Sequence, residues 1–151
     1  MWPIRPWIIA LLAFPVVAVA AGGDPEPADP VIAAAQEAAA RRDFAEAAEV
    51  LRGALAKSPG NADYHNLYAY ALRKGPSPDM DLVFKHYNEA LRLDPRHRGA
   101  HEYIGEAYLA VGNVHKAREH LTVLDRMCFF GCEEYTSLKK AVQEYEAKHK
   151  R

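Results

Sequence analysis

The stretch His101-Glu-Tyr-Ile-Gly-Glu-Ala-Tyr-Leu-Ala-Val-Gly-Asn-Val-His-Lys-Ala-Arg-Glu-His-Leu121 reads as two short helices joined by a turn. Gly112 suits the left-handed position that ends a helix, and Asn113 is a favourable N-cap for the next one. The small residues Gly105 and Ala117 allow the two helices to approach closely. Apolar residues at three- and four-residue steps share one face of the first helix, and they are Ile104, Ala107, Tyr108 and Val111. The stretch therefore predicts a helical hairpin.

Hairpins of the same kind precede this one along the chain. The three units begin near residues 28, 61 and 98, so the period is close to the ~34 residues of a helix-turn-helix repeat. Pro59 and Pro95 stand at the ends of the first two units. In the second unit, Ser77 and Pro78 predict the start of its second helix as N-cap and first helical residue. No alternating, strand-like run occurs.

The residues shared by the three units point to a known family. Unit one contributes Ala35, Ala47, Ala54 and Pro59, unit two Tyr64, Leu67, Tyr87, Ala90 and Pro95, and unit three Ile104, Gly105, Tyr108, Gly112, Asn113, Ala117 and Leu121. With these residues the chain resembles the tetratricopeptide repeat (TPR) family over residues 28–148. The resemblance implies an all-α, right-handed superhelical solenoid of three TPR-like units plus a C-terminal capping helix.

The resemblance also sets the expected boundaries and the expected site. The TPR domain spans 31–148, with repeats at about 28–60, 61–97 and 98–131 and a capping helix at 133–148. In the family, the first helices of the units line a concave groove that holds a protein or peptide partner. The positions of this sequence that inherit that role are Gln36, His65, Arg73, Glu102 and Glu106. Their carboxylates favour a basic or neutral partner segment.

The second candidate site is the pair Cys128 and Cys132. In an exported protein this pair predicts an intramolecular disulfide between the third unit and the capping helix. The alternative is a thiol, redox or metal-handling pair, for which His115 and His120 are nearby ligands. Phe129 and Phe130, between the two cysteines, are predicted to anchor the cap in the core, and an exposed contact with a partner is the other interpretation. His97 and His101, four residues apart, are predicted to be ordinary surface and packing residues rather than a metal pair.

The first residues of the sequence have the pattern of a secretory signal peptide. Arg5 supplies the positive charge, an apolar run follows, and Ala18-Val19-Ala20 provides small residues for cleavage. Residues 1–20 are therefore predicted to be removed, which leaves a proline-rich, acidic tail at 21–30. The pattern predicts a periplasmic protein with no membrane span after cleavage.

Composition and motifs argue against nucleic-acid binding and against catalysis. The formal net charge of the 151 residues is −1, which gives no electrostatic reason to expect nucleic acid as a partner. No phosphate-binding glycine loop, nucleophile elbow or catalytic triad motif is present. We therefore expect no catalytic residue, metal or cofactor. The predicted function is a non-catalytic scaffold or adaptor of the cell envelope that is a monomer or a weak homodimer.

Overall fold

The computed structural model describes residues 29–149. Within this range the chain forms seven α-helices and no strand. They are α1 (Pro30–Ala40), α2 (Phe44–Lys57), α3 (Ala62–Lys74), α4 (Met80–Leu93), α5 (Arg98–Ala110), α6 (Val114–Met127) and α7 (Glu133–His149). The predicted all-α solenoid is confirmed. The predicted signal peptide and nearly all of the predicted tail lie outside the described residues.

Polar side chains start most of these helices. Asp43, Asn61 and Asn113 each accept a hydrogen bond from the backbone N–H three residues later, at 2.9, 3.1 and 3.1 Å. Asn113 is the N-cap that the sequence predicts, and Asp43 and Asn61 begin their helices in the same way. Each cap satisfies one of the backbone donors that a helix start leaves without a partner, which stabilises the protein by about 1 kcal/mol.

The start of α4 differs from the prediction. Ser77 and Pro78 precede the helix, and Asp79 is its N-cap. The Asp79 carboxylate accepts hydrogen bonds from the backbone N–H groups of Asp81 and Leu82, both at 3.1 Å. A carboxylate also interacts favourably with the helix dipole, which explains why the helix begins two residues later than Ser77-Pro78 suggests.

The helices form two layers. α1, α3, α5 and α7 are successive neighbours in one layer, and α2, α4 and α6 pack behind them as the second helix of each unit. α7 contacts both α5 and α6, so it occupies the place of the first helix of a further unit. The first layer is the inner face of the solenoid, and the second layer is the outer face.

The core runs through the unit boundaries. One buried cluster joins Val83 and Tyr87 of unit two to Ile104 of unit three, and another joins Leu124 of α6 to Leu138 of α7. No unit buries its apolar face alone, as expected for a stacked repeat. Val111 is a correction to the predicted apolar face, since it is 49% exposed. It caps the C-terminus of α5, where the chain has already turned away from the core.

The turns of units one and three have the same geometry with different residues. Arg42 (φ 64°) and Gly112 (φ 80°) both adopt the left-handed conformation. In each turn the next residue donates its N–H to a carbonyl five residues back, Asp43 to Ala38 at 2.9 Å and Asn113 to Tyr108 at 2.8 Å. The arginine side chain is exposed. Unit one therefore carries a backbone strain that glycine relieves in unit three.

Replacing Arg42 with glycine should raise the free energy of unfolding by about 1 kcal/mol, because glycine adopts this conformation without strain. Urea unfolding monitored by circular dichroism measures the change. Gly112→Arg is the matched control and should lower stability by a similar amount, since a Cβ there would meet only the Tyr145 hydroxyl, at 3.6 Å. A loss of stability in Arg42→Gly would contradict the account of this turn.

Candidate functional site

The inner face carries an apolar cavity of about 270 Å³ between α1, α2, α3 and α5. Small side chains of α1, among them Ala35 and Ala39, form one wall. Tyr70 and Tyr103 form the opposite wall, with ring centroids 4.8 Å apart. Aromatic rings beside small side chains provide flat apolar surface for a partner side chain or backbone.

An acidic cavity of about 310 Å³ lies next to the apolar one. The two share Gln36, Leu67 and Tyr103 in their walls, so they form one continuous depression across the inner face. The additional wall residues of the acidic cavity are Ile32, Asp63, Asn66, Gly99, Glu102, Glu133 and Glu134. Two of the predicted groove residues, Gln36 and Glu102, are therefore brought together here.

A third cavity, of about 420 Å³, opens toward the C-terminal end of the inner face. Arg73 and Glu106 line it, together with residues of α7. The Arg73 Nη2 donates to Glu106 Oε2 at 2.7 Å, and its Nε donates to the Tyr87 hydroxyl at 3.4 Å. The Arg73 side chain is only 9% exposed. These two predicted groove residues form an ion pair between units two and three, which makes them structural residues as well as wall residues.

Glu102 is the most perturbed acid on the inner face. Burial raises the pKa of its carboxyl to about 7, and the negative charges of Glu106, Glu134 and Glu133 add to the effect, while the Ser137 hydroxyl opposes it. The neutral carboxyl can donate a hydrogen bond, whereas the carboxylate only accepts. The inner face therefore changes its charge near neutral pH.

Replacing Glu102 with glutamine should stabilise the protein at pH 8 and have little effect at pH 4. The folded pKa of Glu102 lies above its ordinary 4.5, so the stability associated with the protonated carboxyl is present below pH 4.5 and is lost as the pH rises through 7. Glutamine resembles the protonated form at every pH. Because the side chain is only half-buried, we expect a gain below about 1 kcal/mol. Thermal unfolding at both pH values measures it, and equal effects at pH 4 and pH 8 would contradict the assignment.

His65 does not face the groove, and this part of the prediction is wrong. The residue is 8% exposed and lies between α3 and α4. Its Nε2 is 2.9 Å from the Pro59 carbonyl oxygen, and its Nδ1 is 2.8 Å from Nδ1 of His86. Since a carbonyl can only accept, Nε2 of His65 donates and its Nδ1 accepts from the Nδ1–H of His86.

The same histidine pair recurs one unit later. Nε2 of His101 is 3.2 Å from the Pro95 carbonyl oxygen, and its Nδ1 is 2.9 Å from Nδ1 of His120. The sequence analysis missed both pairs and predicted His101 to be an ordinary surface or packing residue. The available signal was the spacing, because a histidine follows the unit-ending proline by six residues in both places. The pairs connect each unit to the end of the preceding one.

The cysteine loop lies away from the inner face. The sulfur atoms of Cys128 and Cys132 are joined in the structure, and neither residue lines the three cavities. The predicted core position of Phe129 and Phe130 is wrong, since they are 86% and 97% exposed. Gly131 donates its N–H to the Cys128 carbonyl at 2.8 Å, so both phenylalanines occupy the central positions of a tight turn and project outward.

His97 and His115, the other histidines considered as metal ligands, have different environments. Nδ1 of His97 accepts from the Ala100 N–H at 3.2 Å and so caps α5. His115 is exposed beside Glu119. From residue 29 to residue 149, no three or more histidine, cysteine, aspartate or glutamate residues are grouped so as to hold a metal ion. Over the same range no helix has the length and apolar character needed to span a membrane.

Known proteins similar to this chain share its repeats. The inactive TPR repeat-containing thioredoxin TTL3 of Arabidopsis thaliana is 33% identical over 101 residues, which are 66% of this chain and 14% of that protein. The TPR repeat-containing thioredoxin TTL4 of the same plant is 35% identical over 81 residues, 54% of this chain and 12% of that protein. The chain therefore spans about one seventh, or less, of these relatives.

A solved structure supports the fold independently. The TPR2B domain of yeast Sti1, determined as a complex with pHsp70, has a TM-score of 0.68 to this chain at 18% identity, covering 80% of this chain and 96% of that domain. The tetratricopeptide repeat family model matches residues 32–79 and 85–127, more than half of the chain. Such repeats typically form non-catalytic surfaces for protein–protein interaction. By its repeats and its fold, the chain belongs to the tetratricopeptide repeat family.

Proposed function

We propose that the chain is a non-catalytic adaptor whose inner face binds an extended segment of a partner protein. The observation that supports this most directly is the continuous depression formed by the apolar and acidic cavities. It is lined by the first helices of all three units and by Glu133 and Glu134 at the start of α7. Its length across three helices suits a peptide better than a compact small molecule. The fold neighbour from yeast was solved as a complex with pHsp70, which agrees with this proposal.

The charge of the depression indicates which kind of partner segment fits it. Four carboxylates line the acidic cavity, and no lysine or arginine does. The adjoining apolar cavity offers alanine, leucine and tyrosine surface. We infer a segment that carries a basic residue beside apolar ones.

We also propose that the adaptor works in the cell envelope. The signal-peptide pattern of residues 1–20 supports export. The bonded pair Cys128–Cys132 agrees with an oxidising compartment such as the periplasm, where disulfides persist. Cleavage of the chain after Ala20 can be tested by N-terminal sequencing of the protein from its native host.

Selection from a random peptide library on the immobilised protein tests the binding function. Gln36 is exposed and lines both cavities, so a tryptophan there should fill the depression without disturbing the core. Peptides selected by the parent protein should bind Gln36→Trp at least about tenfold more weakly. Fluorescence anisotropy of the labelled peptides measures the change.

Gln143→Trp is the matched control, because Gln143 is exposed on α7 and lines none of the three cavities. It should bind the selected peptides as the parent does. Equal affinity of all three proteins would exclude the inner face as the binding surface. Arg73 and Glu106 are poorer choices for this test, because their ion pair holds units two and three together.

Cys128→Ser separates the adaptor function from a thiol function. Since neither cysteine lines the inner cavities, this variant should bind the selected peptides unchanged. Loss of binding in Cys128→Ser with an unchanged melting temperature would favour the thiol or metal-handling alternative. Thiol titration of the protein purified from the periplasm, followed by mass measurement, would then identify the redox state.

A further inference from the structure

The acidic cavity has the chemistry of a cation site. Asp63, Glu102, Glu133 and Glu134 contribute four carboxylates to its wall. Two of them have a neighbour at the rim: Asp63 lies 3.0 Å from Nε2 of the His97 ring, and Glu134 lies 3.6 Å from Nε of the Arg98 guanidinium. The acids thus exceed the cations, and no lysine or arginine enters the cavity itself.

A second, independent feature of the same wall is Asn66. The residue is 4% exposed, and its Oδ1 is closed to solvent and has no hydrogen-bond partner among the described residues, while its Nδ2 lies beside Gly99. A buried acceptor without a donor costs about 1–3 kcal/mol of stability, so such groups are rare and call for an explanation. Because the terminal torsion of asparagine is broad, the amide can turn to present this acceptor to a bound donor.

Gly99 packs closely against this amide. A Cβ at Gly99 would lie 3.3 Å from Nδ2 of Asn66, which is a tight contact. Gly99 lines the acidic cavity together with Asn66 and Glu102. A side chain at this position would therefore crowd the asparagine amide and narrow this part of the cavity.

We propose that the acidic cavity binds the cationic side chain, a lysine ammonium or an arginine guanidinium, of a basic residue in the partner segment. An ammonium brings three donors and a guanidinium five, which suits one amide acceptor and several carboxylates. We assign an organic cation because the wall also offers an amide acceptor and the apolar surface of Ile32 and Leu67, which suit the alkyl part of a lysine or arginine side chain. This inference rests on the proposed function and deepens it, because it names the side chain that anchors the partner.

NMR titration with small probes tests the site directly. The probes are the N-acetyl, N′-methylamide derivatives of lysine, arginine and norleucine, of which norleucine has a straight, uncharged side chain. The two cationic probes should shift the side-chain amide of Asn66 and the backbone amide of Gly99, and norleucine should not. Comparison of the dissociation constants of the lysine and arginine probes shows which cation binds more tightly. Equal shifts with norleucine, or no shifts up to tens of millimolar, would overturn the proposal.

Two variants localise the interaction. The variants are measured at pH 8, above the pKa of about 7 to which burial raises Glu102. Asn66→Leu removes the acceptor at similar size, and Glu102→Gln removes a charge at this pH. Each should weaken the cationic probe at least about tenfold. Glu49→Gln, which removes an exposed carboxylate from the outer helix α2, is the matched control and should leave the affinity unchanged. Unchanged affinity in both Asn66→Leu and Glu102→Gln would contradict the site.

The peptide library distinguishes this proposal from the function on which it rests. In the first outcome, the selected peptides bind Gln36→Trp and Asn66→Leu more weakly than the parent, and they share a lysine or arginine at one position. This outcome supports both proposals. Peptides that depend on Gln36 without a shared basic position support the adaptor and overturn the cation site. Cationic probes that bind at Asn66 when no selected peptide depends on Gln36 support the cation site and overturn the adaptor.

Discussion

Replacing Gly105 with alanine is expected to lower the free energy of unfolding by about 2 kcal/mol, although alanine is the better helix former. Gly105 lies within α5 at the contact with α7. A Cβ added there would lie 2.6 and 2.8 Å from the two Cδ atoms of Leu138. Leu138 is fully buried, so it cannot move aside without disturbing the cluster around Leu124 and Val142. The overpacking outweighs the gain of about 1 kcal/mol in helix propensity.

Gly53→Ala is the matched control, because Gly53 lies inside α2 and a Cβ there has nothing within 4 Å. It should raise the free energy of unfolding by about 0.5–1 kcal/mol. Urea unfolding of both variants measures the two changes in the free energy of unfolding, which we expect to have opposite signs. The double variant Gly105→Ala/Leu138→Ala should be more stable than the sum of its single changes by at least about 1 kcal/mol, because the smaller residue 138 leaves room for the new methyl group. A stabilising Gly105→Ala would contradict the close packing of α7 on α5.

The histidine pairs are expected to make the protein less stable as the pH falls from 7 to 5. Burial lowers the pKa of His120 to about 4, and the charge of His101 contributes to this shift. Burial also lowers the pKa of His101 and of His86. A histidine whose folded pKa lies below its ordinary 6.5 contributes stability that is complete above pH 6.5 and is lost as the pH falls toward the folded pKa. For His120 this loss is about 1–2 kcal/mol at pH 5, after allowance for partial exposure.

His120→Asn isolates this contribution. The asparagine amide can still donate to Nδ1 of His101, but it does not titrate. We therefore expect a smaller loss of stability between pH 7 and pH 5 in the variant than in the parent. The comparison is needed because Glu102 acts in the opposite direction: its raised pKa makes the protein more stable as it becomes protonated.

His115→Asn serves as the control, since His115 is exposed and belongs to neither histidine pair; this variant should keep the loss of stability that we assign to His120. Thermal unfolding at half-unit steps of pH measures the stability of the parent, His120→Asn and His115→Asn. Parallel profiles for the parent and His120→Asn would show that the histidine pairs carry no acid sensitivity. In that case the neutral hydrogen-bonded pairing of His101 and His120 would be wrong.

The helical repeats could be predicted from the sequence because their signals are local. The Gly112-Asn113 turn, the proline at the end of each early unit and the apolar spacing of α5 and α6 each depend on residues within one hairpin. The start of α4 was misplaced because two competing caps, Ser77 and Asp79, stand two residues apart. Local patterns favour both, and only the structure shows which side chain reaches the helix N-terminus.

The candidate site was predictable only in part. The family resemblance pointed to Gln36 and Glu102, and both line the acidic cavity. His65 was misplaced because its environment is set by His86, a residue of another helix. The importance of Asn66 depends on a missing partner, which a sequence cannot show. Phe129 and Phe130 were expected in the core on hydrophobicity alone, but the turn between the cysteines directs them outward.

The most direct test of the account is to map a library-selected peptide on the 15N-labelled protein by backbone amide chemical shifts. The account predicts that the perturbed amides lie on the inner helices α1, α3 and α5 and the first turn of α7, including Gln36, Asn66 and Glu102. It predicts smaller changes on the outer helices α2, α4 and α6. Perturbations confined to the outer helices, or to the loop around Phe129 and Phe130, would contradict binding at the inner face.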